Sequence, residues 1–266
     1  MIKTFAPDFP RNEHGWIKFP RDLSYRRKYL PEEIHKEVSL HPAKMNLYLC
    51  EAIVEFVSNE GETILDPFGG VGTTMVAAMK HNRNAILLEL EPIYVSLENQ
   101  TLDFIRKQYF GATVMILPGD NRRYLPIPCD HIITSPPFGN DLAKQKGAVS
   151  EEEQYKVGTY AANPVSLGRL NPFYYVQHMK PIYEKMVESI RQGGTITITH
   201  RDRSRGGERI LYAKSIMETM ARLGMKLYVW EKWEPPGSHQ ATLNKKLGHD
   251  VILDEDILIF SKPISS

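Results

Sequence analysis

Four short apolar runs alternate with stretches of helical periodicity through the middle of this chain, and that alternation limits its possible folds more than any other feature. Thr63-Ile64-Leu65-Asp66 runs into a glycine turn and a helix from Met75 to Lys80. Asn84 to Leu90 leads into a helix over 93–110, Thr113 to Leu117 ends at Gly119-Asp120-Asn121, and Asp130 to Thr134 ends at Ser135-Pro136-Pro137-Phe138. Strands alternating with helices predict a parallel α/β sheet with crossover helices, whose ligands bind outside the carboxyl ends of the strands. The glycine turn and the Ser135 loop should therefore be neighbours in space.

With 266 residues, 42% of them hydrophobic, the chain can bury one substantial core. Residues 41–266 read as one domain and residues 1–40 as a basic, aromatic arm. In the arm, Phe9-Pro10-Arg11, Lys18-Phe19-Pro20-Arg21 and Tyr25-Arg26-Arg27-Lys28-Tyr29 interleave cations with rings. That mixture suits phosphate contact plus base stacking, or an arm packed on the domain. Leu47, Cys50, Ile53, Val54 and Val57 fall at helical spacing ahead of the first strand. No apolar run is long enough to span a membrane, which predicts a soluble, cytoplasmic protein. Cys50 and Cys129 are too few for a disulfide framework or a zinc site, and the nine histidines are scattered, so no metal is expected. A net charge of +1 means that nucleic-acid contact must come from local basic patches.

Gly69, Gly70 and Gly72 let backbone approach a ligand closely, and the helix that follows offers its first N–H groups. No Gly-Lys-Ser/Thr follows them, so this is not a phosphate-binding P-loop. Glu89 ends the next strand about 20 residues on, where a carboxylate can take both ribose hydroxyls of a nucleoside-type cofactor. Asp120 can accept from an adenine amino group. In the Ser135 loop, two prolines remove two donors and fix two φ angles. The Ser135 hydroxyl and the Pro136 carbonyl can then accept both hydrogens of a planar NH2. Phe138 offers a face for the ring that carries it, and stacking of this kind contributes about 1–3 kcal/mol per base.

Asp66-Pro67-Phe68-Gly69-Gly70-Val71-Gly72-Thr73-Thr74 together with Thr134-Ser135-Pro136-Pro137-Phe138 resembles the S-adenosylmethionine-dependent amino-methyltransferases of DNA. The Ser-Pro-Pro-aromatic form is similar to the cytosine-N4 branch; the adenine-N6 branch more often has Asp or Asn in place of Ser135. Val71 departs from the usual motif, which has Ser there, and one side-chain contact is then missing. His41-Pro42-Ala43-Lys44 is similar to the element this family places before the glycine loop. The resemblance implies a Rossmann-like, seven-stranded class I methyltransferase sheet, mostly parallel with an antiparallel edge, with S-adenosyl-L-methionine as cofactor. It implies a cofactor site of His41, Lys44, Asp66, Pro67, Phe68, Gly69, Gly70, Gly72, Thr73, Thr74, Glu89, Asp120 and Asn121. Ser135, Pro136, Pro137 and Phe138 would be catalytic, in direct methyl transfer to the N4 amino group of cytosine in DNA. Methylation of structured RNA such as rRNA, adenine-N6 methylation and a non-catalytic cofactor-binding module are the alternatives.

The polar segment 139–171 should cover the cofactor, with Lys144 and Lys146 reaching substrate. A helix over 172–191 then stops at Gly193-Gly194, and strand Thr195 to Thr199 runs into Arg201, Arg203 and Arg205, placed to contact phosphates. A helix over 208–223, a strand from Lys226 to Trp233, a loop with Lys245 and Lys246 that would also meet substrate, and a strand from Ile257 to Phe260 complete the sheet. No block of 80 or more residues is left for a recognition domain, so specificity must come from loops. Cys129 precedes its strand, at the end away from the glycine turn, and is assigned to packing rather than to carbon-5 chemistry. Nucleic acid is the expected partner, DNA before RNA; the oligomeric state is open.

Overall fold

The computed structural model describes residues 4–41, 44–137, 163–205, 208–236 and 252–264. Its sheet holds β1 (Thr63–Asp66), β2 (Asn84–Glu89), β3 (Val114–Pro118), β4 (Cys129–Thr134), β5 (Ile190–His200), β8 (Lys226–Trp233) and β9 (Glu255–Ser261). Their order is β3-β2-β1-β4-β5-β9-β8. The first five run parallel, and β9 lies antiparallel to both β5 and β8, which gives the expected antiparallel edge. Chain order reverses between β1 and β4, so the crevice of a doubly wound sheet opens at their carboxyl ends.

Both faces are covered, which is why the strands read as continuous apolar runs. Ile64, Leu87, Ile133 and Ile257 face one core, with α3 (Leu47–Val57) and α4 (Thr73–Lys80) laid over it. Leu65, Leu88, Ile132 and Leu258 face the other, under α7 (Pro172–Ser189) and α8 (Tyr212–Arg222). Among the described residues no helix is long and apolar enough to cross a membrane.

Residues 5–40, with the short helix α1 (Leu23–Arg26) and α2 (Glu32–Leu40), pack on this body. Phe5, Ile17, Phe19 and Tyr29 are buried in the first core. Ile17 donates to Lys232 O and accepts from Glu234 N–H, both at 2.9 Å, so the arm covers the end of edge strand β8. Arg26 is buried: Nε meets Asp22 at 2.6 Å, Nη1 donates to Thr73 Oγ1 at 3.1 Å, and Nη2 donates to Met45 O. Arg26 thus ties the arm to the first turn of α4.

Several boundaries differ from expectation. α5 (Pro92–Ile105) ends before residue 110. Gly193-Gly194 do not end a helix; they lie inside β5, where the register against β4 shifts between Cys129 and His131. A Cβ on Gly194 would collide with the Asp130 carbonyl, so the close approach of the strands requires glycine. The helix expected from residue 208 starts at Tyr212, because β7 (Glu208–Ile210) pairs with β6 (Arg203–Arg205) as a hairpin.

One buried side chain ties the ends of β1 and β4 together. Asp66 Oδ1 accepts from Phe68 N–H at 3.0 Å and from Thr134 Oγ1 at 2.7 Å, and Oδ2 accepts from Thr74 Oγ1 at 2.6 Å. Asp66→Ala leaves the buried hydroxyls of Thr74 and Thr134 and the half-buried Phe68 amide without their acceptor and should cost about 3 kcal/mol or more, read as a lowered urea midpoint at unchanged slope.

Candidate active site

Asp66 starts a loop whose shape glycine makes possible. Gly70 and Gly72 hold φ of +58° and +74°, in the left-handed region. Gly69 N–H donates to Leu88 O at 2.9 Å, and Gly70 N–H donates to Glu89 Oε2 at 2.7 Å. The end of β2 therefore grips the loop that follows β1. Among the described residues no side chain caps α4 behind Gly72, which leaves its first amides available to a ligand.

The loop floors a cleft of about 900 Å³, open mouth included. Twelve of the thirteen expected cofactor residues line it: His41, Lys44, Asp66, Pro67, Phe68, Gly69, Gly70, Thr73, Thr74, Glu89, Asp120 and Asn121. Gly72 does not; it packs downward, against Met75 and Glu98. Ser135 and Pro137 line the same cleft, and Pro136 between them is buried. Phe138, Lys144, Lys146, Lys245 and Lys246 lie outside the described residues.

Glu89 sits at the carboxyl end of β2, buried, with Oε1 accepting from Glu91 N–H at 2.8 Å while Oε2 holds Gly70. Burial pushes its carboxyl up to about 7, and the charges of Glu91 and Asp66 act the same way against those two amides. Asp120 caps the short helix α6 (Asn121–Tyr124), and Arg122 grips it, with Nε at 2.8 Å from Oδ1 and Nη2 at 2.6 Å from Oδ2. Burial works to raise the Asp120 carboxyl, but the hydrogen bonds and charge of Arg122 outweigh it and hold the group below its ordinary value. Asn121 Nδ2 donates to Pro67 O at 2.9 Å and so braces the end of β3 against the loop.

His41 lines the cleft beside Gly70 and lies edge-on to Tyr94, ring centroids 4.6 Å apart. Burial, then the charges of Lys44 and Arg26, lowers its pKa to about 3, so the ring is neutral at physiological pH. Burial, then Arg26, lowers the Lys44 ammonium to about 8. Lys44 Nζ donates to His41 O at 3.3 Å.

Residues 163–167 come down over the cleft, where Val165, Ser166 and Leu167 line it. Glu91 holds them, Oε1 accepting from Asn163 N–H at 3.0 Å, and Arg122 Nη2 reaches Val165 O at 3.5 Å. Glu91, Tyr94, Arg122 and Leu167 were missed by motif reading. Only Glu91 carried a signal, as a second acid two residues beyond Glu89.

Arg201 is engaged by Glu255, Nη2 to Oε1 at 2.8 Å. Arg203 and Arg205 lie on β6, beyond the carboxyl end of β5; their side chains lie outside the description. Arg209, unremarked in sequence, bridges Asp202 at 2.9 Å and Asp254 at 2.6 Å. Cys129 opens β4 at the far end of the sheet, and burial lifts its thiol to about 12, so no thiolate serves the cleft.

Comparison with known proteins agrees with this geometry. The N6/N4 methyltransferase family model, described as DNA methylase, matches residues 13–100. Type II methyltransferase M.BglI of Bacillus subtilis is 41% identical over 63 residues, 24% of this chain and 18% of that protein. Type II methyltransferase M2.DpnII of Streptococcus pneumoniae is 35% identical over 74 residues, 28% of each. The matched stretches thus span less than a third of either relative. The crystal structure of a methyltransferase from Pyrococcus furiosus is 14% identical with a TM-score of 0.54, covering 92% of this chain and 100% of that one. The fold is that of a class I methyltransferase, and the sequence matches support the DNA amino-methyltransferase family. Fold and sequence matches together indicate S-adenosylmethionine as the cofactor.

Glu89 makes a pH test of the site. A carboxyl raised from 4.5 to about 7 by folding stabilises the free protein below pH 4.5 relative to neutral pH, and that contribution is lost as pH rises through about 7. Wild type should therefore lose stability relative to Glu89→Gln between about pH 5 and 7.5, by on the order of 2 kcal/mol, in urea titrations at the two pH values.

Proposed function

We propose that this chain transfers a methyl group from S-adenosylmethionine to the exocyclic N4 amino group of cytosine in DNA. The observation that carries the reading is the placement of Ser135 and Pro137 in the same cleft as the glycine loop and Glu89, under the bracket that Asp66 makes to Thr134.

The cleft suits the cofactor end by end. Glu89 keeps acceptor capacity beyond its two amides and is placed to take a ribose diol. Asp120 and Asn121, at the end of β3, stand where an adenine edge would lie, with Leu167 above. Lys44 offers the positive charge that a carboxylate needs, and Phe68 and Pro67 wall the loop side. The bound cofactor would supply an electrophilic methyl group on a sulfonium.

The reaction needs orientation more than acid–base strength. The Ser135 hydroxyl accepts one amine hydrogen and the Pro136 carbonyl the other, turning the nitrogen lone pair toward the methyl carbon. Both acceptors also stabilise the positive charge that develops on nitrogen. The proton then leaves to water, since the methylated nitrogen is strongly acidic before it loses it. A Ser at position 135 favours the N4 atom of cytosine over the N6 atom of adenine, where the family more often has a carboxylate or amide. A base in duplex DNA must be extruded to reach the cleft.

Labelled methyl transfer to duplex DNA, single-stranded DNA and rRNA, followed by mass spectrometry of the nucleosides, tests atom and polymer together. N4-methylcytosine in DNA is expected; N6-methyladenine, or label in rRNA alone, overturns the assignment. Ser135→Ala should lower turnover by roughly 10²-fold while leaving the cofactor Kd within about twofold. Equal losses of both by calorimetry would remove Ser135 from the chemistry.

A further inference from the structure

The glycine loop rests on an acid that the mechanism above does not use. Glu98, on α5, is fully buried, and both of its carboxyl oxygens lack a hydrogen-bond partner among the described residues. Its side chain runs beneath the loop from one glycine to another. A Cβ on Gly72 would sit 3.4 Å from its Cγ, and a Cβ on Gly69 would collide with its Oε1. Gly69 and Glu98 thus occupy complementary space, and the carboxyl presses on loop backbone whose upper side lines the cleft.

The charges that act on this carboxyl are of its own sign. Glu89 faces it from β2 and Asp66 from β1, while the loop and the first turn of α4 present Gly69, Gly72 and Met75, none of which titrates. Among the described residues, α2, α4 and β3, which also pack near α5, place no charge that acts on it. Burial pushes the Glu98 carboxyl well above its ordinary value, and Glu89 and Asp66 push it further. A buried carboxyl without a hydrogen-bond partner among the described residues, set beside two other acids, favours its neutral form beneath the cleft.

We propose that Glu98 senses the charge of the ligand above it: the carboxyl gives up its proton as the cationic cofactor docks and regains one once only the neutral thioether product remains. The inference rests on the cofactor reading given above. A positive charge placed over the loop stabilises the carboxylate, and by linkage the proton loss strengthens cation binding as pH rises. The proton balance closes over a turnover. Methyl transfer breaks a carbon–sulfur bond, forms a carbon–nitrogen bond and frees one proton from the amine; the carboxylate of Glu98 takes up one proton as the positive charge disappears. The consequence is discrimination: the site holds fresh cofactor in preference to spent product, although the two share adenine, ribose and amino-acid ends.

That shared structure isolates the sulfonium: contacts to the ribose, those of Glu89 among them, are common to both ligands, and the Glu98→Gln variant separates the proton of Glu98 from any that Glu89 releases to the same charge. Calorimetry of S-adenosylmethionine and of S-adenosylhomocysteine, each in phosphate and in Tris at pH 7.0 to 8.0, counts protons released on binding. Wild type should release more with the cationic ligand, up to about one proton. Glu98→Gln, which keeps the shape, should bring the two counts together and narrow the affinity ratio of cofactor to product by about tenfold. If Glu98→Gln fails to fold, the pH dependence of the wild-type Kd decides: affinity for the cofactor must rise more steeply between pH 6 and 8 than affinity for the product. Equal proton counts in wild type, equal pH slopes, or a difference that persists in Glu98→Gln overturns the proposal while leaving the methyltransferase reading intact. Failure of either ligand to bind overturns both.

Discussion

The carboxylate of Asp66 is the point on which the rest of the site depends. It is buried at the end of β1 and its acceptors are all engaged within the protein, by the loop amide of Phe68, by Thr74 at the start of α4 and by Thr134 at the end of β4. Burial raises its pKa, while those three hydrogen bonds pull the other way. Hydrogen bonds to an ionised acceptor in a low-dielectric interior are strong and directional. The bracket therefore fixes the glycine loop against the strand whose next residue is Ser135. Two motifs separated by some sixty residues of chain become one cleft through one side chain. Asp66 lines that cleft, yet its hydrogen bonds are internal, so its part in the site is to hold the walls in register.

A second constraint is the sign of the charge around the loop. Asp66, Glu89 and Glu98 crowd its lower side and the end of β2, and burial raises all three. The cations near the cleft stand elsewhere: Arg26 under the first turn of α4, Lys44 beside the His41 carbonyl and Arg122 clamped on Asp120. An acidic floor with a cation at one end suits a ligand that carries a positive centre and a carboxylate. A phosphate would hold these carboxyls in their neutral forms and find no charge partner among them, which agrees with the absence of the Gly-Lys-Ser/Thr pattern from the loop.

The basic and aromatic residues of the arm show how composition leaves two readings open, a nucleic-acid surface or an arm packed on the domain. Arg26 and Tyr29 look in sequence like a nucleic-acid surface, but Arg26 is buried against Asp22 and Tyr29 belongs to the core. Lys80, from α4, lies over the rings of Tyr25 and Tyr29 at 4.5 and 4.4 Å, so here a domain cation meets the arm's aromatics. Arg201 is likewise engaged by Glu255. A guanidinium reads the same in sequence whether its partner is a phosphate or a carboxylate of its own chain, because the partner is supplied by distant segments.

What the sequence by itself determined was the local and repetitive part. Runs such as Asn84 to Glu89 become strands because β-branched and leucine side chains fill both faces of a doubly covered sheet, and Gly70 and Gly72 mark a loop only glycine can turn. The glycine-loop side of the cleft was legible because its residues cluster at strand ends, and strand ends follow from the period of the pattern. Only the tertiary structure decided the rest. The β6–β7 hairpin, the strand crowding that requires Gly194, the hold of Glu91 on Asn163 and the wedge of Glu98 under Gly69 all depend on contacts between segments far apart in the chain or on a single close approach. A buried glutamate within a helix reads as a solvated one until the sheet and the loop close over it, because burial is a property of the packed whole.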